Sequence, residues 1–419
     1  MTGLRKGVPF CFHKPDCLSF CPGLIHCFGS LVQPCLIMPV MVFTWGFCGL
    51  NEGNRNAVSP LPFRLDLGTS ATEQPASISA GTFFTVVVTN KGNVFVCGRG
   101  KYGRLGTGDE ADVPKLKRIE FGKDVKISEV SAGSWHCCAV SFLGRVFSWG
   151  NNFKGCVLGR PCDSENSFSS PGLVASLSSV TIRQVSCGHN FTLARSADGH
   201  VYSWGFGKYG VLGHGNELNL SVPQRIECLA KVIVTTISAG YAHCGAVTDN
   251  GFLYMFGKGD DGALGFGADL KNKLEPCWVH RLAHVIVVDV SCSKGDGKGH
   301  TLALSHRGEL FVWGNNAYGK LGLESVRCQT EPVKLSKHLF LERRVVKLCA
   351  GSVHNVAITD NGVVYSWGKG SDGILGHANF SSKALHQHYS LPASVACPPD
   401  GCRATDVSCS AHHTVVLLC

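Results

Sequence analysis

Four sets of residues in this chain have types and spacings that suit chemistry. Gly98, Gly100 and Gly103 spell G-x-G-x-x-G after a short apolar run, the spacing of a phosphate-binding loop. The segment SKGDGKGHT, residues 293–301, approaches a second kind of phosphate loop. Histidines recur at a G-x-x-H position, His136, His243, His300 and His354, with His412 or His413 in a last copy, and would suit proton transfer or metal ligation. Seven tryptophans could form a light-absorbing or aromatic site.

Context removes the nucleotide readings. A dinucleotide fingerprint has to open a helix, whose free backbone N–H groups hold the pyrophosphate. Here the glycines run on into Leu105-Gly106-Thr107-Gly108, and Pro114 follows before any helical period develops. G-x-x-x-x-G-K-[ST] fails in 293–301, because the sixth position from Gly295 is His300. The first pattern also recurs, at Gly205, Gly207 and Gly210, at Gly257, Gly259 and Gly262, and at Gly368, Gly370 and Gly373. Four copies of one loop are architecture, not a single ligand site.

The elements behind these residues follow from the repeat. The glycines that end each aromatic run, Gly46, Gly98, Gly150, Gly205, Gly257, Gly314 and Gly368, are spaced by roughly one four-stranded propeller blade. Each copy predicts a short strand, a tight turn, an alternating strand, a hairpin turn such as Thr89-Asn-Lys-Gly92, and a strand ending in Trp-Gly or its equivalent. Six such hairpin turns serve seven copies. The final HHTVVLLC, residues 412–419, stops where the seventh is due, and the strand it lacks is PVMVFTWG, residues 39–46. The chain is expected to be an all-β, seven-bladed β-propeller over 38–419, its closing blade shared by both ends. Residues 1–37 form a cysteine-rich extension, either disordered or a targeting segment.

Composition agrees: 419 residues with 44% hydrophobic and 16% charged describe a globular chain, and 51 glycines imply many turns. The formal charge of +9 comes without a run of like charges, so nucleic acid is not expected as a partner. Proline interrupts the uncharged stretch after Leu18, so no membrane span is expected. In the Ser-Ala/Cys-Gly segment, Cys187, Cys292 and Cys409 alternate with Ala80, Ala132, Ala239 and Ala350, which reads as small apolar packing in a reducing compartment, cytoplasm or nucleus. The basic, early acid-free N-terminal stretch leaves a mitochondrial address open.

The segments VSAGSWHCCAVSFLGRVFSWG, VSCGHNFTLARSADGHVYSWGFGKYGVLGHG and CAGSVHNVAITDNGVVYSWGKGSDGILGH closely resemble the regulator-of-chromosome-condensation repeat family over residues 39–419. The resemblance implies a protein-binding propeller, and in particular guanine-nucleotide exchange on a small GTPase such as Ran, which needs complementarity to a nucleotide-free state and no nucleophile. It also implies an alternative, a non-catalytic adaptor in trafficking, ubiquitin-pathway or organelle complexes. By position, the resemblance implies a partner-facing wedge at 151–159, carrying Asn151, Asn152, Phe153 and Lys154, with Asn190 in the fourth copy's first turn and His300 beside it in role. The family's G-D-x-H turn lacks its aspartate here, at Gly133-Ser-Trp-His136 and Gly351-Ser-Val-His354.

Against that frame the Trp-Gly tryptophans Trp45, Trp149, Trp204, Trp313 and Trp367 are expected in the core, and the repeated histidines are expected to be structural hydrogen bonders. The departures from symmetry are the candidate surface. The expanded fifth-copy turn is expected to present Lys294, Asp296, Lys298 and His300 to a partner. No catalytic residues, metal ligands or cofactor are assigned, and the expected state is a monomer with a small GTPase or other protein as partner.

Overall fold

In the computed structural model the described residues are 40–48, 59–160, 168–295, 298–377, 388–396 and 402–419. The N-terminal extension and Asp296 lie outside them. Seven four-stranded antiparallel sheets are present. Blades are numbered here from the first complete one: blade 1 starts with the inner strand Pro75–Gly81, blade 2 with Ile127–Ala132, blade 3 with Ile182–Cys187, blade 4 with Val234–Ala239, blade 5 with Val287–Cys292 and blade 6 with Val345–Ala350. In blade 7, Ala404–Cys409 and His413–Leu418 pair with Met41–Gly46, which pairs in turn with Ser59–Leu65. The shared closing blade is therefore present as expected, with Met41 opposite Leu418 and Gly46 opposite His413.

The core lies between blades. Seven buried clusters each draw on two neighbouring sheets; one joins Phe84, Val86 and Val96 to Ile127, Val130 and Trp149. The five Trp-Gly indoles are fully buried. Each Nε1–H donates to a carbonyl of the preceding blade: Trp149 to Arg104 O at 3.0 Å, Trp204 to Val157 O at 3.0 Å, Trp313 to Ala263 O at 2.7 Å, Trp367 to Lys320 O at 2.9 Å and Trp45 to Ile374 O at 2.9 Å. Burial of the ring and satisfaction of its one polar atom come from the same contact.

Nearer the axis the inner strands present outward backbone N–H groups that no neighbouring strand can pair. A serine of the preceding blade takes each one. Ser79 Oγ accepts from Ala132 N, Ser131 from Cys187, Ser186 from Ala239, Ser238 from Cys292, Ser291 from Ala350 and Ser408 from Ala80, all at 2.9 Å. Between blades 6 and 7 Cys349 Sγ does the same for Cys409 N at 3.0 Å. The glycine after this column permits the approach: a Cβ on Gly133 would stand 2.5 Å from Gly188 O, and one on Gly188 2.7 Å from Gly240 O. At the opposite end the hairpin glycines take left-handed φ as expected, for instance +78° at Gly144 and +81° at Gly362.

A second belt links blades through the repeated histidines. His136 Nε2 meets Thr192 Oγ1 at 2.9 Å, His243 meets Thr301 at 3.0 Å, His354 meets Thr414 at 2.9 Å and His413 meets Thr85 at 3.0 Å; His300 Nε2–H donates to Asn355 Oδ1 at 2.8 Å. These residues are structural, as their repetition implies, but they tie one blade to the next. Two interfaces lack the histidine, at Phe84 and Phe191, and there the facing residue is Cys137 or Cys244. Each of those thiols donates back to a turn carbonyl, Arg104 O at 3.6 Å or Val211 O at 3.4 Å, so the phenyl ring faces no unpaired hydroxyl. The polar pair and the apolar pair are two self-consistent solutions of one contact.

Burial holds the imidazoles neutral, pulling His243 down to about 4 and His354 and His413 to about 3, with His300 well below its ordinary value. Inner-strand carboxylates shift the other way by burial, Glu129 up to about 7 and Asp289 up to about 6, with Asp406 also raised. They accept backbone bonds from Val185, Val290 and Val407, and Lys347 lies 3.6 Å from Asp406.

Two outcomes follow. His243→Phe alone removes the donor to Thr301 Oγ1, whose own hydrogen still goes to Ala263 O at 2.8 Å, and is expected to cost about 0.5–1.5 kcal/mol in chemical denaturation. His243→Phe with Thr301→Cys copies the pairs found at Phe84 and Phe191 and should recover at least about 0.5–1 kcal/mol, a coupling that an additive double-mutant cycle would refute. In acid, the unfolded histidines bind protons below about pH 6.5 while the folded ones resist until pH 3–4. Each depressed histidine therefore removes about 2 kcal/mol at pH 5 relative to pH 7.5, and the raised carboxylates return only part of it. Denaturation midpoints measured across that window should fall as the pH is lowered.

Candidate functional site

In every blade the turn before the histidine and the segment after the Trp-Gly position are joined at one end of the ring. Arg99 N donates to Phe83 O, Asn151 N to Trp135 O, Phe206 N to Asn190 O, Lys258 N to Ala242 O, Asn315 N to Gly299 O, Lys369 N to Val353 O and Phe47 N to His412 O, at 2.8 to 2.9 Å. This face therefore displays seven side-by-side pairs, and their chemistry is aromatic and cationic. Arg99 lies 4.5 Å from the Phe83 ring and 5.0 Å from Phe47, while Phe83 stacks on His412 at 4.2 Å. Arg104 lies 4.5 Å from the Trp135 ring, and burial lowers its guanidinium to about 10, still charged at neutral pH. Lys369 reaches Tyr318 at 5.2 Å. The Arg99 and Lys369 contacts hold cations at the surface without neutralising them, whereas Arg104 is buried beneath it.

Across blades 2 to 4 the face holds a hollow of about 190 Å³ lined by Phe153, His189, Asn190, Phe206, Lys208, Tyr209 and Tyr241 among others. Phe153 packs edge-on against Phe206 at 5.4 Å, and Lys154 Nζ sits 4.9 Å from the Phe206 ring. His189 lies against Tyr241 at 4.3 Å and shares a 2.9 Å hydrogen bond with Ser134 Oγ; burial lowers its imidazole to about 4, so it is neutral. Lys208 and Lys258 approach the Tyr209 ring at 4.8 and 5.6 Å, and Lys258 is also paired with Asp260 at 3.0 Å. The hollow combines flat apolar walls with a cationic rim, which suits a protein side chain or loop.

The sequence-derived residues divide on this geometry. Phe153, 37% exposed, and Lys154 project at the hollow's edge, and Asn190 lines it. Asn151 is half-buried beside them, but Asn152 is fully buried: its Oδ1 accepts from Leu158 N at 3.1 Å and shapes the turn. The expanded fifth-blade loop does not present four residues outward. Lys294 points toward the axis, where its Nζ donates to Ala132 O at 3.2 Å across the ring, in a small hollow shared with Gly81, Gly133, Gly188 and Ala411. His300 is buried in its strand as part of the histidine belt. Lys298 is exposed, and its carbonyl accepts from the buried Lys320 ammonium at 2.9 Å. The correction has a plain cause: Lys294 is engaged across the ring by Ala132 O, and the histidine keeps its place in the repeat.

Sequence reasoning passed over His189, Phe206, Lys208, Tyr209 and Tyr241. One signal marks Tyr209 among them. Tyr102, Tyr209 and Tyr318 occupy left-handed backbone, with φ of +65°, +66° and +66°, where the corresponding residues are Lys154 and Asp372 in blades 2 and 6. An aromatic at a position that costs backbone strain is being held for what it displays.

The chain matches the RCC1-like domain over residues 40–296 and the regulator of chromosome condensation (RCC1) repeat over 307–358 and 361–417. It is 30% identical to the ultraviolet-B receptor UVR8 of Arabidopsis thaliana, over 84% of this chain and 78% of that protein. Identity is 31% to the secretion-regulating guanine nucleotide exchange factor of Bos taurus, over 78% and 72% respectively. With the Homo sapiens E3 ubiquitin-protein ligase HERC2 it is 28%, over 89% of this chain but only 8% of that far longer protein. Among solved structures, human WBSCR16 superposes with a TM-score of 0.78 at 25% identity, covering 90% of this chain and 98% of that one. Saccharomyces cerevisiae Prp20p gives 0.76 at 22%, covering 91% and 92%. The seven-fold repeat and the propeller fold agree with these matches, and the chain belongs to the family of RCC1-like repeat proteins.

Proposed function

We propose that this propeller is a guanine-nucleotide exchange factor for a small GTPase, docking through the face that carries the blade 2–4 hollow. The observation that carries this reading is the Phe153-Lys154 turn, held outside the ring beside Asn190 and above an aromatic, cation-rimmed hollow. Exchange requires tighter binding to the nucleotide-free GTPase than to the loaded one, and a rigid face with one projecting turn supplies that difference without acid, base or nucleophile. Exposed lysines around the hollow favour an acidic partner surface and fast encounter. The bovine relative is itself named a guanine nucleotide exchange factor, and Prp20p is described with binding to Gsp1p and histones.

The second reading is an adaptor that uses the same face. It is favoured by the HERC2 similarity, in which an RCC1-like region forms a small part of a ubiquitin ligase. The two separate on nucleotide state, which an adaptor ignores.

Release of a fluorescent guanine nucleotide from a panel of small GTPases tests the proposal. The intact chain should accelerate release from at least one of them, and Phe153→Ala with Lys154→Glu should lower that acceleration by tenfold or more while the thermal midpoint stays within a few degrees, since both side chains are exposed. Binding that is equal for loaded and empty GTPase, or no acceleration across the panel, would put the adaptor in its place.

A further inference from the structure

Two contacts hold paired buried cysteines, Cys349 with Cys409 between blades 6 and 7 and Cys138 with Cys187 between blades 2 and 3, but among the described residues only the second gathers both sulfurs and a histidine donor atom together. Cys138 lies two residues beyond His136 on the strand His136–Ser141, and Cys187 ends the inner strand Ile182–Cys187 of the next blade; all three side chains are fully buried. One donor atom from each of His136, Cys138 and Cys187 lies within 4.8 Å of the other two. The Thr192 hydroxyl stands among them, 2.9 Å from His136 Nε2, 3.8 Å from Cys138 Sγ and 3.9 Å from Cys187 Sγ. At the corresponding columns the other contacts pair Val86 with Ala132, Leu193 with Ala239, Gly245 with Cys292, Leu302 with Ala350, Val356 with Cys409 and Val415 with Ala80. Two cysteines beside a histidine occur at this interface alone among the seven pairs of columns.

We propose that His136, Cys138 and Cys187, with the Thr192 hydroxyl as fourth donor, form a structural Zn²⁺ site that pins blade 2 to blade 3. Soft sulfur and imidazole donors suit zinc, and burial of all of them fits a structural site, with the Thr192 hydroxyl standing where the commoner sets have a third thiolate or a second imidazole. Charge selects the ion. Two thiolates and a neutral imidazole leave a neutral centre around Zn²⁺, whereas a monovalent ion would bury a net negative charge among apolar neighbours. Zinc binding expels one proton from each thiol to solvent, so that two S–H bonds are exchanged for two Zn–S bonds. Zn–S of about 2.3 Å and Zn–N of about 2.0 Å place tetrahedral donors roughly 3.5–3.8 Å apart, so the cluster closes by about 1 Å through side-chain rotation.

The site is tested on the full chain, reduced and equilibrated with Zn²⁺ alone, by elemental analysis after removal of free metal. Cys138→Val and Cys187→Ala install residues that the repeat uses at those columns, and Cys292→Ala changes a cysteine of the same column that faces Gly245 instead of sulfur. The unmodified chain and Cys292→Ala should each retain one more equivalent of zinc than Cys138→Val, Cys187→Ala or their combination. A chelator should lower the thermal midpoint of the first two by several degrees and leave the others unmoved. Equal zinc in all of them, an equal chelator response, or a Cys138–Cys187 disulfide in the isolated protein would overturn the assignment.

Discussion

The structure depends on one hydrogen bond repeated around the axis, from the inner-strand amide of each blade to the serine of the blade before it. An inner strand is a sheet edge, and its amides face a neighbour whose own backbone runs at the wrong angle to pair with it. Ser79, Ser131, Ser186, Ser238, Ser291 and Ser408 resolve this with a side chain, and Cys349 Sγ does so in the remaining blade. Because every donor is answered by the preceding blade, no interface can be removed without leaving a buried amide unpaired elsewhere. The closure through Met41–Gly46 is required by the same logic: without it Ser408 would have a blade to satisfy but no complete blade to stand on.

The histidine belt adds a condition that the serines do not. Serine accepts from a backbone amide, which every residue type possesses, but the histidine needs a matching side chain on the next blade. The chain meets this in pairs, histidine with threonine or asparagine and phenylalanine with cysteine. A hydroxyl opposite Phe84 or a thiol opposite His354 would break the local balance of donors and acceptors. Repeats in this ring therefore cannot drift independently, even though each is recognisable by itself.

Fold and site were unequally legible in the sequence for this reason. Seven-fold repetition exposed strands, turns, the tryptophan columns and the shared closing blade, because each has a periodic chemical signature. Asn152 and His300 looked available because they stand in irregular or polar segments, yet each is consumed internally, one by Leu158 N and the other by Asn355. Lys294 sits in an insertion, and nothing local indicates that it reaches Ala132 across the ring. Interactions between residues far apart in one column, or on opposite sides of an axis, leave no spacing to read. The left-handed tyrosines are the exception, since a bulky residue where glycine is easier can be noticed without coordinates.

Rigidity and display are consequently separated. The serine ring, the histidine belt and the tryptophan contacts tie the inner strands together, so the working surface falls to the turns at one end of the ring, among them the two residues at each Phe206 N to Asn190 O type of bond. Those positions carry little structural duty and vary freely between phenylalanine, asparagine, lysine, histidine and alanine from blade to blade. One scaffold can then hold different faces at nearly constant geometry, which is why relatives about 30% identical carry names as different as photoreceptor and exchange factor. In this chain aromatic and basic side chains line the hollow over blades 2 to 4, beside the interface that holds His136, Cys138 and Cys187.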